Sequence, residues 1–446
     1  MGSVGISSIR SLASEASEIA AFALIEPTDG VQSGPYSLAI AGHVVATCRR
    51  PAFLELRCAG HRPVRIPNRH PRPDLGAKFP DVPWAGSNSG FRASVSLLPY
   101  PNEFVLELAM VFDDEDDLLL ALIEGSHDSP PVSQTGISPI IVTTLGRTGS
   151  TWVLGLLSRH PDVVAYPPYK AEVRCSTYWT DVMTALTNPA SYLQSVRTRA
   201  VGGDWWMGRA RPFDVALQDD ELEEWLGRAQ FEAMVAFYRD RIDEFYLHLA
   251  SRAGADTPRY FVEKGLPHTQ LTLLRQLYPD MKEVFLVRDF RDMLASMFAY
   301  SRSKGIVAFG RQHVETDEDF VRSVVGSSVD QLLAAWRQRR HDAHLLRYEE
   351  LVSRPRETLR SLLSSVEIGS SDTVIDQMLL ADEQEGQRAM ARAHRTTPTL
   401  NDSLRRWTRD LNPHLVTCAE EAFADALKEF GYVQELDSAE PLAASA

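Results

Sequence analysis

Cysteine is scarce in this chain, with four among 446 residues. Cys48, Cys58, Cys175 and Cys418 do not have the spacing of metal ligands, and so few cysteines do not make a disulfide framework. The simplest interpretation is four buried thiols in a reducing compartment, and no metal site is expected.

Long apolar runs are missing as well. The stretch at residues 19–25 is too short to span a bilayer, and no signal peptide can be recognised. The sequence therefore predicts a cytoplasmic protein without a membrane span.

Positive charge is in deficit, since the formal net charge is −14. This argues against a broad nucleic-acid surface, so an anion site must be a local basic pocket in an acidic protein. The acidic run at residues 113–117 lacks the glycine that turns a calcium loop. We expect a solvated turn there.

What the chain has is the length of two domains and an ordinary globular composition, 44% hydrophobic. In residues 1–125, short β-prone runs alternate with glycine, proline and aspartate clusters, which predicts a β-sandwich-like domain or a small barrel. These runs lie at residues 19–25, 36–46, 53–58, 91–98 and 104–111. Residues 126–138 have the composition of a linker, and residues 436–446 that of a disordered tail.

The second domain, residues 139–435, alternates strand and helix patterns. Strands are predicted at residues 140–142, 163–164, 259–262 and 283–287, and a helix at 271–277. This alternation predicts a mostly parallel α/β sheet. A longer helix is predicted to open at residues 219–221. The predicted members of its buried face are Leu222, Trp225, Leu226, Ala229, Ala233, Phe237 and Leu249.

The second domain is organised around residues 139–157. The β-branched run Ile140-Ile141-Val142 predicts a buried strand, a break containing Gly146 and Gly149 follows, and the pattern resumes as a helix at Ser150. A strand, a tight glycine loop and a helix N-terminus form an anion cradle, because backbone N–H groups converge there. Arg147 adds a full charge. The loop is not a Walker A sequence, because no lysine follows Gly149.

A second basic site follows the predicted strand at residues 283–287. Arg288 stands at the carboxyl end of this strand, and Ser296 comes eight residues later on the next helix. Ligands of open α/β sheets bind at that edge of the sheet. The guanidinium fork and the hydroxyl can therefore close on one phosphate.

These two stretches resemble the nucleotide-binding motifs of sulfotransferases. Residues Arg147-Thr148-Gly149-Ser150-Thr151-Trp152 resemble the family's 5′-phosphosulfate loop, and Arg288 with Ser296 resembles its 3′-phosphate motif. Two further stretches agree in family order. Residues 347–355, with Tyr348, resemble the segment near the adenine, and residues 394–407, with Arg406, resemble the segment that closes over the nucleotide in bacterial members.

The resemblance implies an enzyme that uses 3′-phosphoadenosine 5′-phosphosulfate (PAPS) and releases adenosine 3′,5′-bisphosphate. It implies that Arg147 and the loop N–H groups hold the sulfonate and the 5′-phosphate. Lys264 resembles the family lysine that stabilises the leaving oxygen. In-line transfer also needs a base for the acceptor proton.

The identity of that base is open. Cytosolic family members place a histidine two residues after the lysine, but Leu266 stands there in this chain. Members of the heparan type carry a glutamate after the second strand, and Glu172, beside Lys170, resembles it. Glu172 is therefore the predicted base, with His268 as the alternative.

The acceptor is open too. The segment at residues 72–91 resembles an accessory β-domain of bacterial glycan-modifying proteins, which favours a glycan or a glycosylated metabolite. A phenolic or polyketide natural product is the main rival, since acceptor pockets are built from the variable helical block at residues 175–253. A P-loop kinase or nucleoside triphosphatase, and a nucleotide-binding protein without catalysis, are further alternatives. Oligomeric state is left open.

Overall fold

The computed structural model describes most of the chain. The described residues are 4–13, 16–32, 36–47, 49–61, 63–112, 116–130, 136–166, 173–186, 230–254, 258–267, 271–385 and 396–433. They form two compact units. Unit 1 comprises residues 1–136, 175–245 and 270–280, and unit 2 comprises residues 137–174, 246–269 and 281–446.

Unit 1 contains two antiparallel sheets. Their ten strands are β1 (Val4–Ser11), β2 (Ile19–Glu26), β3 (Gly30–Gln32), β4 (Ser37–Ala46), β5 (Pro51–Arg57), β6 (Val64–Ile66), β7 (Asn68–His70), β8 (Gly90–Ser96), β9 (Glu103–Phe112) and β10 (Asp117–His127). One sheet has the order β3-β1-β10-β9-β5-β6 and the other β2-β4-β8-β7. Both sheets contribute to one apolar cluster that includes Leu38, Leu54, Val95 and Leu108. The predicted β-sandwich-like architecture is confirmed.

The helices of unit 1 are α1 (Pro73–Lys78), α3 (Cys175–Leu186) and α5 (Leu271–Leu277), and α4 (Gln230–Ala253) begins there. On α4, Val235, Arg239 and Ile242 are buried, whereas Phe237 is 53% exposed. Leu249 is buried as predicted. The prediction was wrong for Ala233 and Phe237, which are exposed, and its other members, Leu222, Trp225, Leu226 and Ala229, lie outside the described residues. Its predicted start at residues 219–221 lies outside the described residues.

Unit 2 is built on a parallel five-stranded sheet. Its strands are β11 (Ser138–Thr144), β12 (Val163–Val164), β13 (Tyr260–Gly265), β14 (Lys282–Val287) and β15 (Ala343–Arg347). The order β12-β13-β11-β14-β15 places β11 at the centre, parallel to both β13 and β14. The residues that follow β11 and β14 therefore emerge side by side at one edge.

Helices cover this sheet. They are α2 (Ser150–Leu157), α6 (Phe290–Lys304), α7 (Gly326–Arg339), α8 (Tyr348–Ser353), α9 (Pro355–Ser365), α10 (Asp372–Glu385), α11 (Trp407–Asp410), α12 (Pro413–Ala422) and α13 (Ala424–Glu429). A turn at Asp317–Asp319 and a π-helical stretch at Phe320–Val325 lead into α7. One apolar cluster includes Phe290 and Phe423, and another includes Val142 and Leu359. The predicted parallel α/β domain is confirmed.

β10 ends at His127 and β11 begins at Ser138, so both ends of the predicted linker lie in strands. The predicted tail at residues 436–446 lies outside the described part of the chain. Within that part, no helix is both long and apolar enough to cross a bilayer.

Candidate functional site

The loop between β11 and α2 has the backbone of an anion cradle. Arg147 has φ of 67° and Gly149 has φ of 95°, and left-handed residues in such a turn aim successive N–H groups into one concavity. Gly149 is the N-cap of α2 and no side chain caps this helix. Within the first turn, the N–H of Trp152 donates to the carbonyl of Gly149 at 3.0 Å. The N–H groups of Ser150 and Thr151 have no acceptor four residues earlier within the helix, so these two can serve a ligand.

Gly149 also allows a close approach. A Cβ built on it would lie 2.6 Å from two carbon atoms of the Tyr348 ring. Tyr348 is 5% exposed and its ring also packs edge-on against Trp152, with ring centroids 5.9 Å apart. The aromatic ring therefore supports the loop from behind.

The hydroxyl groups of the loop differ in their roles. Thr148 is fully buried, and its hydroxyl lies 2.6 Å from that of Thr144 and donates to the carbonyl of Leu145 at 3.0 Å. This hydroxyl stabilises the turn. Ser150 is buried at the start of α2 and Thr151 is exposed, so of these hydroxyls only that of Thr151 faces solvent.

Arg288, at the end of β14, connects the loop to the C-terminal segment. It is 4% exposed, Nη1 donates to the carbonyl of Arg147 at 3.2 Å, and Nη2 donates to the carbonyl of Ser403 at 2.6 Å. The guanidinium lies over the Tyr348 ring, 4.7 Å from its centroid. Nε of Arg288 is buried without a hydrogen-bond partner among the described residues. One strong donor therefore remains at this edge of the sheet.

The side chain of Arg147 reaches α6. Its Nε donates to Ser296 Oγ at 3.2 Å, and its guanidinium lies over the Tyr300 ring, 4.7 Å from the centroid. Ser296 is 1% exposed. The residues predicted to hold opposite ends of one ligand, Arg147 and Ser296, are thus in direct contact.

The C-terminal segment completes the group. Thr396 Oγ1 lies 3.5 Å from Ser296 Oγ and accepts from Arg406 Nη1 at 2.7 Å. Arg406 is 3% exposed and pairs with Asp410 at 2.6 Å. We call Arg147, Ser296, Thr396 and Arg406 the basic cluster.

Segment 400–407 is tied to this cluster from two sides. The Tyr348 hydroxyl lies 3.0 Å from Ser403 Oγ. The Asp292 carboxylate accepts from the backbone N–H groups of Arg405 and Trp407. Burial of Asp292 raises the pKa of its carboxyl group to about 6. Asp292 was not predicted to be a site residue, and Thr396 was predicted only as part of the segment at residues 394–407.

Lys264 lies on β13, next to the loop strand. It is 9% exposed and opposite Val142 of β11 in the parallel register. The preceding Glu263 accepts a hydrogen bond from the Tyr246 hydroxyl, which fixes the strand against α4. Lys264 is therefore held on the strand adjacent to the anion cradle.

The predicted bases are not described. Glu172, Lys170 and His268 lie outside the described residues, as do His394 and Arg395. Within the described part of the chain, no three His, Cys, Asp or Glu side chains come close enough to hold a metal ion.

Comparison with known proteins identifies a family. The model of the sulfotransferase family matches residues 139–372. No curated protein matches the chain.

Solved sulfotransferases are similar to it. Mouse sulfotransferase SULT7A1, complexed with PAP, is 14% identical with a TM-score of 0.37, over 65% of this chain and 85% of that one. The sulfotransferase domain from the curacin biosynthetic pathway is 17% identical with a TM-score of 0.36, over 66% and 98%. Sulfotransferase STF9 from Mycobacterium avium is 14% identical with a TM-score of 0.34, over 66% and 77%.

Proposed function

The chain belongs to the sulfotransferase family, which its residues 139–372 match, and from this premise we propose that it transfers the sulfuryl group of PAPS to an acceptor hydroxyl or amine. One observation carries the proposal. Two segments 141 residues apart meet where Arg288 donates to the carbonyl of Arg147, and Arg147 donates to Ser296. The phosphosulfate loop and the 3′-phosphate motif thereby form one basic site.

The residues at this site fit an anionic nucleotide. The buried Nε of Arg288 has no partner among the described residues, and a buried charged donor is costly unless a ligand satisfies it. The left-handed loop residues supply N–H groups, and Arg147 and Arg406 supply charge. In an acidic protein, such a local basic site favours a small polyanion.

In the proposed mechanism, the chain mainly positions the reactants and stabilises charge. PAPS supplies the sulfuryl group. Loop residues 149–152 and Arg147 bind the phosphosulfate, and Lys264 stabilises the charge that develops on the leaving phosphate oxygen. Arg288, Ser296 and Arg406 bind the 3′-phosphate, and Tyr348 braces the loop near the adenine.

Glu172 is the proposed general base, and it accepts the proton of the acceptor as the new bond to sulfur forms. His268 is the alternative. The heparan-like position of Glu172 and the β-sandwich-like unit favour a glycan or glycosylated metabolite as acceptor, with a phenolic or polyketide product as the second candidate. We further propose that residues 1–125 form an accessory domain and residues 139–435 the sulfotransferase domain, that the first domain contributes to the stability of the second, and that the protein is cytoplasmic.

Radiolabelled PAPS tests the proposal. The full chain is incubated with the donor and a panel of glycans and phenols, and labelled product and adenosine 3′,5′-bisphosphate are measured. We expect transfer to at least one acceptor, and transfer that persists with a chelator present. Hydrolysis of ATP or GTP with no use of PAPS would support the kinase or triphosphatase alternative instead. Binding of PAPS without any bisphosphate would indicate a binding protein.

Variants then assign the roles. Ser296→Ala should raise the Kd for the bisphosphate, since it removes one of the hydroxyls of the basic cluster. Glu172→Gln should lower kcat strongly while PAPS still binds, and His268→Gln is the matched control. If His268→Gln abolishes turnover and Glu172→Gln does not, the base is His268.

A further inference from the structure

Asp292 holds the backbone on both sides of one residue of the basic cluster. Its Oδ2 accepts from the N–H of Arg405 at 2.8 Å, and its Oδ1 accepts from the N–H of Trp407 at 2.9 Å. The residue between these two N–H groups is Arg406. A single carboxylate on the first turn of α6 thus fixes both neighbours of that arginine.

The backbone there is in a conformation that needs support. Arg405 has φ of 51°, a left-handed conformation that is unfavourable for a residue with a Cβ. The left-handed conformation of Arg405 is maintained by the contacts around it, which include the hydrogen bonds to Asp292. The ring of Trp407 also lies under the Arg291 guanidinium, 4.2 Å from its centroid, so α6 grips this segment twice.

The result is a defined direction for the Arg406 side chain. Arg406 is 3% exposed and its Nη1 donates to Thr396, which lies beside Ser296. The guanidinium is also held by Asp410, whose Oδ2 accepts from Nε at 2.8 Å and from Nη2 at 2.6 Å. Asp410 lies on the same segment as Arg406, so without the two bonds to Asp292 this pair would shift together and lose its position beside Thr396.

We propose that Asp292 is the positioning residue for Arg406 and that it sets the affinity for the 3′-phosphate without touching the ligand. This inference rests on the proposed function, because it takes Arg406 as a ligand of the nucleotide. It assigns a role to a buried acid that lies between Arg288 and Ser296 in the sequence but was not itself predicted to bind the ligand.

The chemistry of the site requires a carboxylate. Two N–H donors need two acceptor oxygens, and an asparagine offers one oxygen and one further donor. Arg288 and Asp289 are the charged groups that act on Asp292. Burial of an acid is costly, and the raised pKa of Asp292 reflects that cost. Stability alone would therefore favour a neutral side chain here.

Calorimetric titration with adenosine 3′,5′-bisphosphate at pH 7.5 tests the inference on the full chain. Asp292→Asn should raise the Kd about tenfold, as the loss of one charge-assisted hydrogen bond does. Arg406→Ala should raise it at least as much. The double variant should bind no more weakly than Arg406→Ala alone, because Asp292 cannot affect binding through Arg406 once the Arg406 guanidinium has been removed.

A control separates positioning from general damage. Glu420→Gln removes a carboxylate that pairs with Arg291 at 2.8 Å, and it should leave the Kd unchanged. The melting temperature of Asp292→Asn at pH 7.5 should not fall. If that variant does not fold, Asp292→Glu keeps the charge but displaces the oxygens, and it should also weaken binding.

The failures are distinguishable. If the wild-type chain does not bind the bisphosphate, the proposed function falls, and the inference with it. If Arg406→Ala weakens binding while Asp292→Asn and Asp292→Glu do not, the nucleotide function stands and the role of Asp292 is overturned. Additive losses in the double variant would also overturn it.

Discussion

Among single residues, Gly149 carries the most backbone constraint in the loop. Its φ of 95° disfavours any residue with a Cβ, and that Cβ would lie 2.6 Å from the Tyr348 ring. We expect Gly149→Ala to cost about 1–3 kcal/mol of stability. We also expect it to weaken bisphosphate binding at least tenfold, because the N–H groups of the loop are displaced. Thermal unfolding and calorimetry measure the two effects.

The neighbouring glycine provides the control. A Cβ on Gly146 would be 3.6 Å from its nearest neighbour, in the Phe309 ring, which is an ordinary contact, and its φ is not in the left-handed range. Gly146→Ala should therefore be tolerated. Equal behaviour of the two variants would mean that the loop adapts and that its observed backbone is not needed.

Asp292 makes a second prediction, about pH. Its pKa is raised from 3.8 to about 6 in the folded chain. The folded chain therefore binds the proton of Asp292 more tightly than the unfolded chain does. This adds to the free energy of unfolding in full below pH 3.8, and the contribution is lost as the pH rises through 6. The difference in free energy of unfolding, Asp292→Asn minus wild type, should therefore increase by about 2 kcal/mol between pH 4.5 and pH 7.5.

Comparing the two proteins cancels the titration of all other groups. Thermal unfolding of wild type and variant across this pH range gives the difference directly. A constant difference would show that Asp292 titrates normally, and the account of a costly buried acid would then be wrong.

The sequence predicted that Arg147, Arg288, Ser296, Tyr348 and Arg406 meet, and the structure brings them together. Their roles in binding remain predictions. The loop hydroxyls were less predictable. Thr148 fits a ligand-binding pattern, yet its side chain turns inward to Thr144, directly after Arg147 with its left-handed φ of 67°. No local pattern specifies that φ value.

Among the elements, α6 follows the sheet strand β14 and carries Ser296 of the basic cluster. A mutation at its N-cap, Asp289, can test how the start of this helix is stabilised. The Asp289 side chain caps this helix by accepting from the N–H of Arg291 at 2.9 Å. It also pairs with the Arg291 guanidinium at 2.8 Å, with both side chains 11% exposed. Asp289→Ala should therefore cost about 1–2 kcal/mol.

Asp289→Asn is the matched variant, because asparagine caps helices about as well as aspartate. It should retain most of the stability, and the difference between the two variants isolates the cap. If both variants lower the melting temperature equally, the ion pair with Arg291 matters more than the cap.

Four of the five strands of unit 2 could be predicted because they are short apolar runs, such as β14. β15 was not predicted, since Ala343–Arg347 is five residues long and has no alternation. The prediction of the buried face of α4 failed at Ala233 and Phe237 for a different reason. That face includes Arg239, whose guanidinium lies 4.9 Å from the Tyr278 ring centroid, and a search for apolar periodicity cannot select an arginine.

At the scale of the whole molecule, the division into two units does not follow the order of the sequence. Residues 270–280 fall between strands of the parallel sheet along the chain, yet they belong to unit 1 with residues 1–136. His61 Nε2 lies 3.1 Å from Thr272 Oγ1, and Gln276 Nε2 donates to Asn102 at 2.9 Å. A composition-based linker at residues 126–138 cannot reveal such contacts.

These contacts predict what removal of the N-terminal strands does. A chain that begins at Ile137 lacks His61 and Asn102, so α5 loses two hydrogen bonds, each contributing about 1 kcal/mol. We expect its melting temperature to fall by at least about 4 °C. In the full chain, Thr272→Val combined with Gln276→Leu removes the same two bonds and should reproduce part of that loss. A shortened chain that melts at the full-length temperature would instead show that residues 126–138 separate two independent domains. The contacts of α5 with the N-terminal strands would then contribute no stability, because the remaining chain would hold α5 equally well without them.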